Sequence, residues 1–419
     1  MKKPSIFIQI AAYRDPQLIP TVLDALDKSS GRNRLLFGIC HQHATGEETL
    51  PFSGSSFRID AVPFHESRGA CWARNRIQQL YDGETYTLHL DSHHRFAPGW
   101  DQQLVETHQS LQADKPLLTA YLPAYDVADD TRLDSVACSM AFDRFSDGGA
   151  AIFLPKQFAM PPSQPVPARF YSGHFCFGPG SFAQEVQHDP EFYFIGEEIS
   201  LSVRAYTHGY DLFHPHQAVI WHEYTRAGRP KHWDDHEGEN QLANWVELDA
   251  LSKGRNRSLL NMDSVQTKSA TLGRFGLGTV RSLHDYERFA GIDFSTASVS
   301  RHLLENLPPP GPDAELSIQE WQSQLLRQHV IAARLNEQLM DQVRSSDKLN
   351  ISVLNDDDEI IHTEAFDSAK IGEIALDETL RFEVTCFSQD APRLLLVEPE
   401  HTDGRLDSPF ALVIDASKG

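Results

Sequence analysis

Apolar and amphipathic segments alternate through the first 90 residues, and this alternation constrains the fold more than any other feature of the sequence. Runs of apolar, β-branched or aromatic residues predict strands at residues 5–12, 34–40, 58–63 and 84–90. Helical spacing follows Asp15-Pro16 as far as Gly31, and it returns over residues 69–81. The order β-α-β-β-α-β predicts an α/β fold with an open, largely parallel sheet, which binds ligands at the carboxyl ends of its strands.

The charge and composition exclude several classes of partner. The chain has 37 basic and 59 acidic residues and a net charge of −22, which repels phosphate backbones and anionic lipid headgroups. We therefore expect no nucleic-acid partner and no membrane partner. Gln9 and Tyr13 interrupt the N-terminal apolar run before it could serve as a signal peptide. The five cysteines fit neither a disulfide framework nor a paired zinc site, so a cytoplasmic location is expected.

Changes in composition predict three parts of the chain. Residues 126–170 are rich in Asp, Pro and Gly, which is typical of long loops around one or two strands. The run PPPGP at residues 308–312 indicates a linker, because consecutive prolines cannot continue a helix. The expected parts are a first domain over residues 1–307, a linker with one long amphipathic helix over residues 308–347, and a small, sandwich-like antiparallel β-domain over residues 348–419.

The segment LHLDSHHRF, residues 88–96, contains the sharpest chemical signal. It places Asp91 and His93 at the end of the fourth predicted strand. Side chains two residues apart point the same way from an extended backbone, so these two could bind one metal ion. A carboxylate with an imidazole favours manganese over magnesium, which prefers oxygen ligands. Taken alone, the spacing also fits an ordinary solvated turn.

A second block, residues 192–226, supplies further candidates. His222 follows an apolar run that predicts a buried strand, where it would complete an Asp-His-His set or act as a hydrogen-bonded structural residue. Gly196 precedes Glu197 and Glu198 at the predicted start of a helix, where the helix dipole favours anions. The alternative role for these two acids is to cap the helix.

Taken in order, these segments resemble a known family. The resemblance is carried by IFIQIAAYRDPQLIPTVLDAL, RLLFGICHQ, RGACWARNRIQQLY, LHLDSHHRFAPGWD, FIGEEISLSVRAYTHGYDLFHP, WHEYTR and GRFGLGTVRSLHDYERFAGIDF, all within residues 5–295. The set resembles the polypeptide N-acetylgalactosaminyltransferases, and more closely the related hydroxyproline-type polypeptide N-acetylglucosaminyltransferases. This resemblance implies that residues 1–307 form a GT-A catalytic domain, which is Rossmann-like and binds a nucleotide sugar.

The resemblance also implies a metal site. In such families the Asp and the second His of a DSH triplet bind manganese together with a later His that precedes an aromatic residue and an Arg. These positions match Asp91, His93 and His222. Ser92, within the same triplet, is expected to contribute to nucleotide binding.

The resemblance assigns further residues to the donor substrate. Glu197 matches a Glu that contacts the donor sugar in the galactosaminyl relatives, and Glu198 stands where those relatives have an Asn that also contacts it. Because both positions match sugar-contacting residues, we expect both acids in the catalytic site. Arg68 and Arg74 match the segment R-G-x-x-x-A-R, whose Arg lies against the nucleotide. For both arginines, and above all for Arg74, a salt bridge on the helix surface is the alternative.

The remaining implied positions would bind uridine diphosphate. The first strand and its turn would hold the nucleoside through Ala11, Tyr13 and Arg14, and Gln42 would reach the uracil edge. A later loop contributes Arg226, Lys231 and His232, which could close over the diphosphate, and Trp233, which could stack on the sugar. The alternatives are an exposed basic loop without a function and a packed tryptophan.

We therefore expect a retaining glycosyltransferase that depends on Mn²⁺ or another divalent cation. It would move a sugar, foremost N-acetylglucosamine, from a UDP-sugar to a hydroxyl of a protein, peptide or small-molecule acceptor, with the ion bridging the donor's phosphates. Two alternatives remain open: a non-catalytic carbohydrate- or nucleotide-binding protein on the same fold, and a metal-dependent nucleotide-sugar hydrolase. The C-terminal part lies outside the resemblance and is interpreted as a packing or oligomerisation module that could form a homo-oligomer.

Overall fold

The chain divides into two compact units in a computed structural model. The model describes residues 3–44, 46–47, 49–132, 137–225, 229–231, 235, 244–263, 271–312, 316–375, 381–403 and 407–414. One unit comprises residues 1–295 and 302–314, and the other comprises residues 296–301 and 315–419.

The elements up to residue 91 follow the order predicted from the sequence, and further elements continue to residue 304. The strands are β1 (Ser5–Tyr13), β2 (Arg34–His43), β3 (Phe57–Pro63), β4 (Tyr86–Asp91), β5 (His94–Phe96), β6 (Pro116–Thr119), β7 (Cys138–Phe145), β8 (Ala151–Gln157), β9 (Val166–Pro167), β10 (Phe175–Pro179), β11 (Asp211–His214), β12 (Ile220–His222), β13 (Ile292–Asp293) and β14 (Ser298–Val299). The helices are α1 (Leu18–Asp27), α2 (Ala70–Gln78), α3 (Trp100–Gln109), α4 (Phe182–Glu185), α5 (Glu197–Thr207), α6 (Trp245–Leu259), α7 (Leu283–Ala290) and α8 (Arg301–Leu304), with 3-10 helices at Phe64–Glu66 and Gly273–Phe275.

The central sheet of the first unit is mixed but mostly parallel. Its strand order is β3-β2-β1-β4-β10-β6-β11-β9. β1 runs parallel to β2 and β4, whereas β10 is antiparallel to β4 and β6. In this register Ala11 stands beside Asp91 and Tyr13 beside Gln42, so the predicted ligand-binding residues share one edge of the sheet.

Both faces of β1 are covered, which explains why its sequence is almost continuously apolar. Ile6, Ile8 and Ile10 pack in one core cluster that includes Leu18 and Val22 of α1. Phe7 points to the other face and packs with Ala73 and Ile77 of α2. Gly38 on β2 is required by this packing, because a Cβ there would stand 2.5 Å from Cζ of Phe7.

Two short strand pairs extend the first unit beyond the central sheet. β7 and β8 form an antiparallel hairpin within the segment predicted to be loops around one or two strands. β12 pairs antiparallel with β5, and this pairing brings His222 opposite His94. Among the described residues, no helix combines the length and the apolar character that crossing a membrane requires.

The second unit contains the predicted antiparallel strands. Its further elements are β15 (Leu326–Arg334), β16 (Lys348–Leu354), β17 (Ile360–Phe366), β18 (Arg381–Ser388), β19 (Leu394–Glu400), β20 (Phe410–Val413), α9 (Ile318–Gln324), α10 (Glu337–Ser345) and α11 (Ser368–Ala375). One antiparallel sheet has the order β17-β16-β19-β20. β15 pairs antiparallel with β14 and β18.

The prediction of one long helix within residues 308–347 is wrong. α9 ends at Gln324, β15 follows, and α10 begins only after Asn336, whose side chain accepts a hydrogen bond from the backbone N–H of Leu339. Val330 is 49% exposed and Ile331 3% exposed, as expected for neighbours on opposite faces of a strand. The pairing of β15 with β18 overrides the helical spacing, because β-branched residues such as Val330 and Ile331 are readily accommodated in a strand. The sequence gives no local sign of this pairing, since β18 lies far along the chain.

Candidate functional site

The three predicted metal ligands come together at the carboxyl edge of the sheet. Asp91 ends β4, His93 lies in the turn to β5, and His222 ends β12. One ligand atom from each of the three lies within 4.8 Å of the other two. Nε2 of His222 is 3.4 Å, and Nε2 of His93 is 3.7 Å, from Oδ2 of Asp91. Ligand atoms about 2 Å from a common ion stand at such separations, so the set could bind one cation.

The chemical state of these side chains fits a cation site. Nε2 of His93 is buried and has no hydrogen-bond partner among the described residues, which would be costly unless a ligand used its lone pair. Burial lowers the pKa of His222 well below its ordinary value, so its ring is neutral. Burial alone would raise the pKa of Asp91, but the His222 hydrogen bond and the charge of Arg74 hold that pKa well below its ordinary value. A carboxylate and a neutral imidazole, as in Asp91 and His222, are the forms that bind metal ions.

A buried arginine joins this cluster to the predicted sugar-binding acids. Nη2 of Arg74, on α2, donates to Oδ1 of Asp91 at 2.8 Å, and Nη1 donates to Oε1 of Glu197. The Arg74 side chain is 7% exposed, so its ion pairs lie inside the protein and not on the helix surface. Sγ of Cys71 donates to the other oxygen of Glu197 at 3.0 Å.

Glu197 and Glu198 lie in the first turn of α5 and bind tertiary partners. Oε2 of Glu198 accepts from the hydroxyl of Tyr121, and Oε1 accepts from the N–H of Gly173, both at 2.8 Å. A Cβ on Gly173 would stand 2.6 Å from Oε1 of Glu197 and 3.3 Å from Oε1 of Glu198, so a larger residue there would displace the Glu197 carboxylate and crowd that of Glu198. Burial and the neighbouring Glu197 charge raise the pKa of Glu198 to about 7, despite the hydrogen bond from Gly173.

Two cavities adjoin the cluster and share Arg74, Asp91 and Phe194 in their walls. The first is lined by many of the predicted nucleotide-binding residues, namely Ala11, Tyr13, Gln42, Arg74, Asp91, Ser92 and Lys231, and by His93. The second is lined by the predicted sugar-binding acids Glu197 and Glu198, by His222, and by the aromatic residues Tyr121, Phe153, His174 and Tyr224.

Other predicted residues are not brought into these walls. Arg14 lines neither cavity and forms ion pairs with Glu47 at 3.3 Å and Asp235 at 2.8 Å. Arg68 is exposed and also lines neither cavity. The remaining candidates, Arg226, His232 and Trp233, lie outside the described residues.

Two further residues at the site, Asp15 and Arg229, were not predicted from the sequence. Oδ2 of Asp15 accepts from Oγ of Ser92 at 2.6 Å, from Nδ1 of His93 at 2.7 Å and from Nη1 of Arg229 at 2.7 Å. Burial would raise the pKa of Asp15, but these partners, His93 foremost, lower it well below its ordinary value. Asp15 had been interpreted only as part of a helix-start signal. Its place directly after β1, at the ligand-binding edge, was the available clue to a further role.

His174 and Tyr224 were also missed, and no local pattern indicated them. The rings of His174 and His222 stack with centroids 4.2 Å apart and planes inclined by 16°. Nε2 of His174 accepts from the N–H of Leu122 at 3.0 Å, and the Tyr224 hydroxyl donates to the Leu122 carbonyl at 2.6 Å. These contacts support the ring of His222 from the side of the second cavity.

Comparison with solved structures supports the fold. A crystal structure of GalNAc-T7 with UDP, GalNAc and Mn²⁺ matches with a TM-score of 0.50 at 11% sequence identity, over 99% of this chain and 73% of that chain. Staphylococcus aureus TarS matches with a TM-score of 0.35 at 9% identity, over 98% of this chain and 77% of that chain. At this identity the likeness to GalNAc-T7 concerns the fold alone, and it confirms the predicted GT-A-type α/β architecture.

Comparison with sequences identifies the family. No match was found among the curated proteins. The family model described as Glycosyltransferase (GlcNAc) matches residues 5–56 and 46–296, which include the whole candidate site. Because this match covers well over half of the chain, the protein belongs to the glycosyltransferase (GlcNAc) family.

Proposed function

We propose that this glycosyltransferase moves N-acetylglucosamine from UDP-N-acetylglucosamine to a hydroxyl of a protein or peptide, with retention of configuration and with Mn²⁺ bound by Asp91, His93 and His222. The observation that carries the proposal is the position of this cluster at the junction of two cavities. One cavity offers the groups expected around a nucleoside diphosphate, and the other offers carboxylates for a sugar. The choice of sugar is supported by the description of the family, and the acceptor by the sequence resemblance.

The first cavity would bind the diphosphate beside the ion. A bound Mn²⁺ would neutralise the phosphates and stabilise the charge that develops on the departing nucleotide. Arg229 and Lys231 line the same cavity, and their cationic groups would attract the same oxygens. Ala11 and Tyr13, at the end of β1, and Gln42, at the end of β2, would bind the nucleoside, since they form the wall along the sheet edge.

The second cavity would bind the sugar. Glu197 and Glu198 would accept hydrogen bonds from its hydroxyl or amide groups, while Arg74 holds Glu197 and Tyr121 holds Glu198. Because both carboxylates are already held by donors, we propose no covalent nucleophile. Retention would then follow from attack by the acceptor on the same face of the sugar that the phosphate leaves. In this reaction the bond between the anomeric carbon and the phosphate oxygen breaks. The acceptor oxygen bonds to that carbon, and the acceptor proton passes to the departing phosphate.

The test is release of UDP from a panel of nucleotide sugars, with Mn²⁺ or with a chelator, for the parent and for Asp91→Asn. Loss of about 3 kcal/mol of metal stabilisation should lower turnover about 100-fold. Asp101→Asn is the matched control, because Asp101 is also buried but binds Ser30 and Asn33 away from both cavities. It should retain turnover.

The products separate the three classes of function. A transferase yields a glycosylated acceptor, a hydrolase yields free sugar, and a binding protein yields neither. Metal-independent release of UDP, or Asp91→Asn as active as the parent, would refute the metal assignment. Consumption of a different UDP-sugar in preference to UDP-N-acetylglucosamine would refute the donor assignment alone.

A further inference from the structure

We propose that Asp15 is a positioning residue that holds the His93 ring in the tautomer with its proton on Nδ1, leaving Nε2 free to bind the ion. The proposal deepens the proposed function, because it rests on the metal site formed by Asp91, His93 and His222. It concerns a residue outside that ligand set.

The hydrogen bonds of Asp15 decide the tautomer. Oδ2 of Asp15 is 2.7 Å from Nδ1 of His93, and Oδ1 accepts from the N–H of Gln17 at 2.8 Å. With Ser92 and Arg229 also donating to Oδ2, every partner that the described residues offer this carboxylate is a donor. An ionised carboxylate can only accept, so Nδ1 of His93 must carry the hydrogen.

The other ring nitrogen then faces the metal cluster. In a neutral ring Nε2 of His93 then carries the lone pair. This atom lies 3.7 Å from Oδ2 of Asp91 and is without a hydrogen-bond partner in the described part of the chain. A carboxylate bound to the far nitrogen of a metal-binding histidine fixes the ring orientation and raises its basicity. Asp15 therefore occupies the place of such a carboxylate.

The backbone around Asp15 is fixed to the turn that carries His93. Thr21, in α1, donates from Oγ1 to the carbonyl of Ser92 at 2.9 Å and accepts from the N–H of His94 at 2.9 Å. Thr21 is fully buried. These two bonds join α1 to the β4–β5 turn. The distance between Asp15 and His93 is therefore fixed independently of the hydrogen bond between their own side chains.

The test compares Asp15→Asn with Asp101→Asn, which also replaces a buried carboxylate but away from the cluster. The first measurement is the ring tautomer in the metal-free protein, from long-range ¹H–¹⁵N correlations of ¹⁵N-histidine, with the signal assigned by its loss in His93→Gln. The parent should show the Nδ1–H form. Asp15→Asn should gain the Nε2–H form, because its amide can donate to Nδ1.

The second measurement is the affinity for Mn²⁺ alone, by titration calorimetry. Asp15→Asn should bind Mn²⁺ about 10- to 100-fold more weakly, which is the usual effect of losing such a carboxylate. Asp101→Asn should change the thermal stability, but neither the tautomer nor the Mn²⁺ affinity. This control distinguishes the general effect of removing a buried carboxylate from the loss of the hydrogen bond to His93.

The outcomes are distinct from those of the proposed function. An Nε2–H ring in the parent would overturn the proposal even if Asp15→Asn failed to fold. A folded Asp15→Asn that binds Mn²⁺ within about threefold of the parent would also overturn it, since removal of such a carboxylate should cost more. A parent that shows the Nδ1–H ring but binds no Mn²⁺ would refute the proposed metal site and, with it, the role assigned to Asp15.

Discussion

Replacing Arg74 by Met should couple the stability of the first unit to Mn²⁺. Arg74 is buried and is the cation shared by Asp91 and Glu197. Its removal leaves both carboxylates, whose side chains are 17% and 7% exposed, without that partner. Breaking a buried ion pair from one side costs about 3–5 kcal/mol, so the metal-free variant should lose about that much free energy of unfolding.

The metal should restore more stability to the variant than to the parent. The guanidinium of Arg74 bonds directly to Asp91 at 2.8 Å, so a cation bound by Asp91 would lie only a few ångströms from it. At a separation of about 5 Å and an effective dielectric of about 20, two unit charges repel by about 3 kcal/mol. After allowance for screening and relaxation, the Mn²⁺ affinity of Arg74→Met should be at least about tenfold higher, or about 1.4 kcal/mol.

The assay is urea unfolding of the parent and the variant at several Mn²⁺ concentrations, since a ligand of the folded state stabilises it by RT ln(1 + [L]/Kd). Arg255→Met is the matched control. Arg255 is equally buried, and its Nε donates to the buried Asp189 at 2.8 Å, but neither residue lines the two cavities. It should lose similar stability, with the same response to Mn²⁺ as the parent.

Two results would refute this reasoning. If Arg74→Met is as stable as the parent without metal, Arg74 does not compensate the two buried carboxylates. If Mn²⁺ stabilises Arg74→Met and Arg255→Met equally, the ion does not share the Asp91 carboxylate with Arg74.

Two further predictions concern the sugar side of the site. The pKa of Glu198 is raised from 4.5 to about 7, so the folded state binds this proton more tightly than the unfolded state does. The folded state therefore loses stability relative to the unfolded state as the pH rises from 4.5 through 7. Relative to Glu198→Gln, the parent should therefore lose up to about 3 kcal/mol between pH 4.5 and pH 8 in urea titrations, and parallel pH profiles would contradict this. Gly173→Ala should displace both acids, because its Cβ would meet Glu197, and a shift of about 1 Å at a positioning group can lower kcat/KM about 100-fold. Inhibition by UDP should stay unchanged, and an active alanine variant would show that the two acids do not position the sugar.

Much of the first unit could be predicted because its information is local. The runs that form β1, β2 and β4 are apolar enough to be covered on both faces, and the helix α1 between β1 and β2 favours their parallel pairing. The antiparallel insertion of β10 beside β4 has no such signal, since it joins segments about 90 residues apart in sequence, and such pairings are set by long-range contacts. For the same reason the strand β15 was predicted as part of a helix, because its partner β18 is distant.

The candidate site divides in the same way. Asp91 and His93 were recognisable because strand geometry places alternate residues on one side, and their roles remain predictions. Asp15 went unrecognised, because only its contact with His93 distinguishes it from any acid before a helix.

The sequence by itself determined the α/β architecture and placed Ala11, Gln42 and Asp91 at one edge of the sheet, since backbone periodicity and burial follow from local pattern. Only the tertiary structure decided which partners those side chains meet. Arg74 joins Asp91 to Glu197, and Tyr121 meets Glu198. Ionisation, ring tautomer and affinity for a cation depend on neighbours within a few ångströms, and distant parts of the chain supply those neighbours.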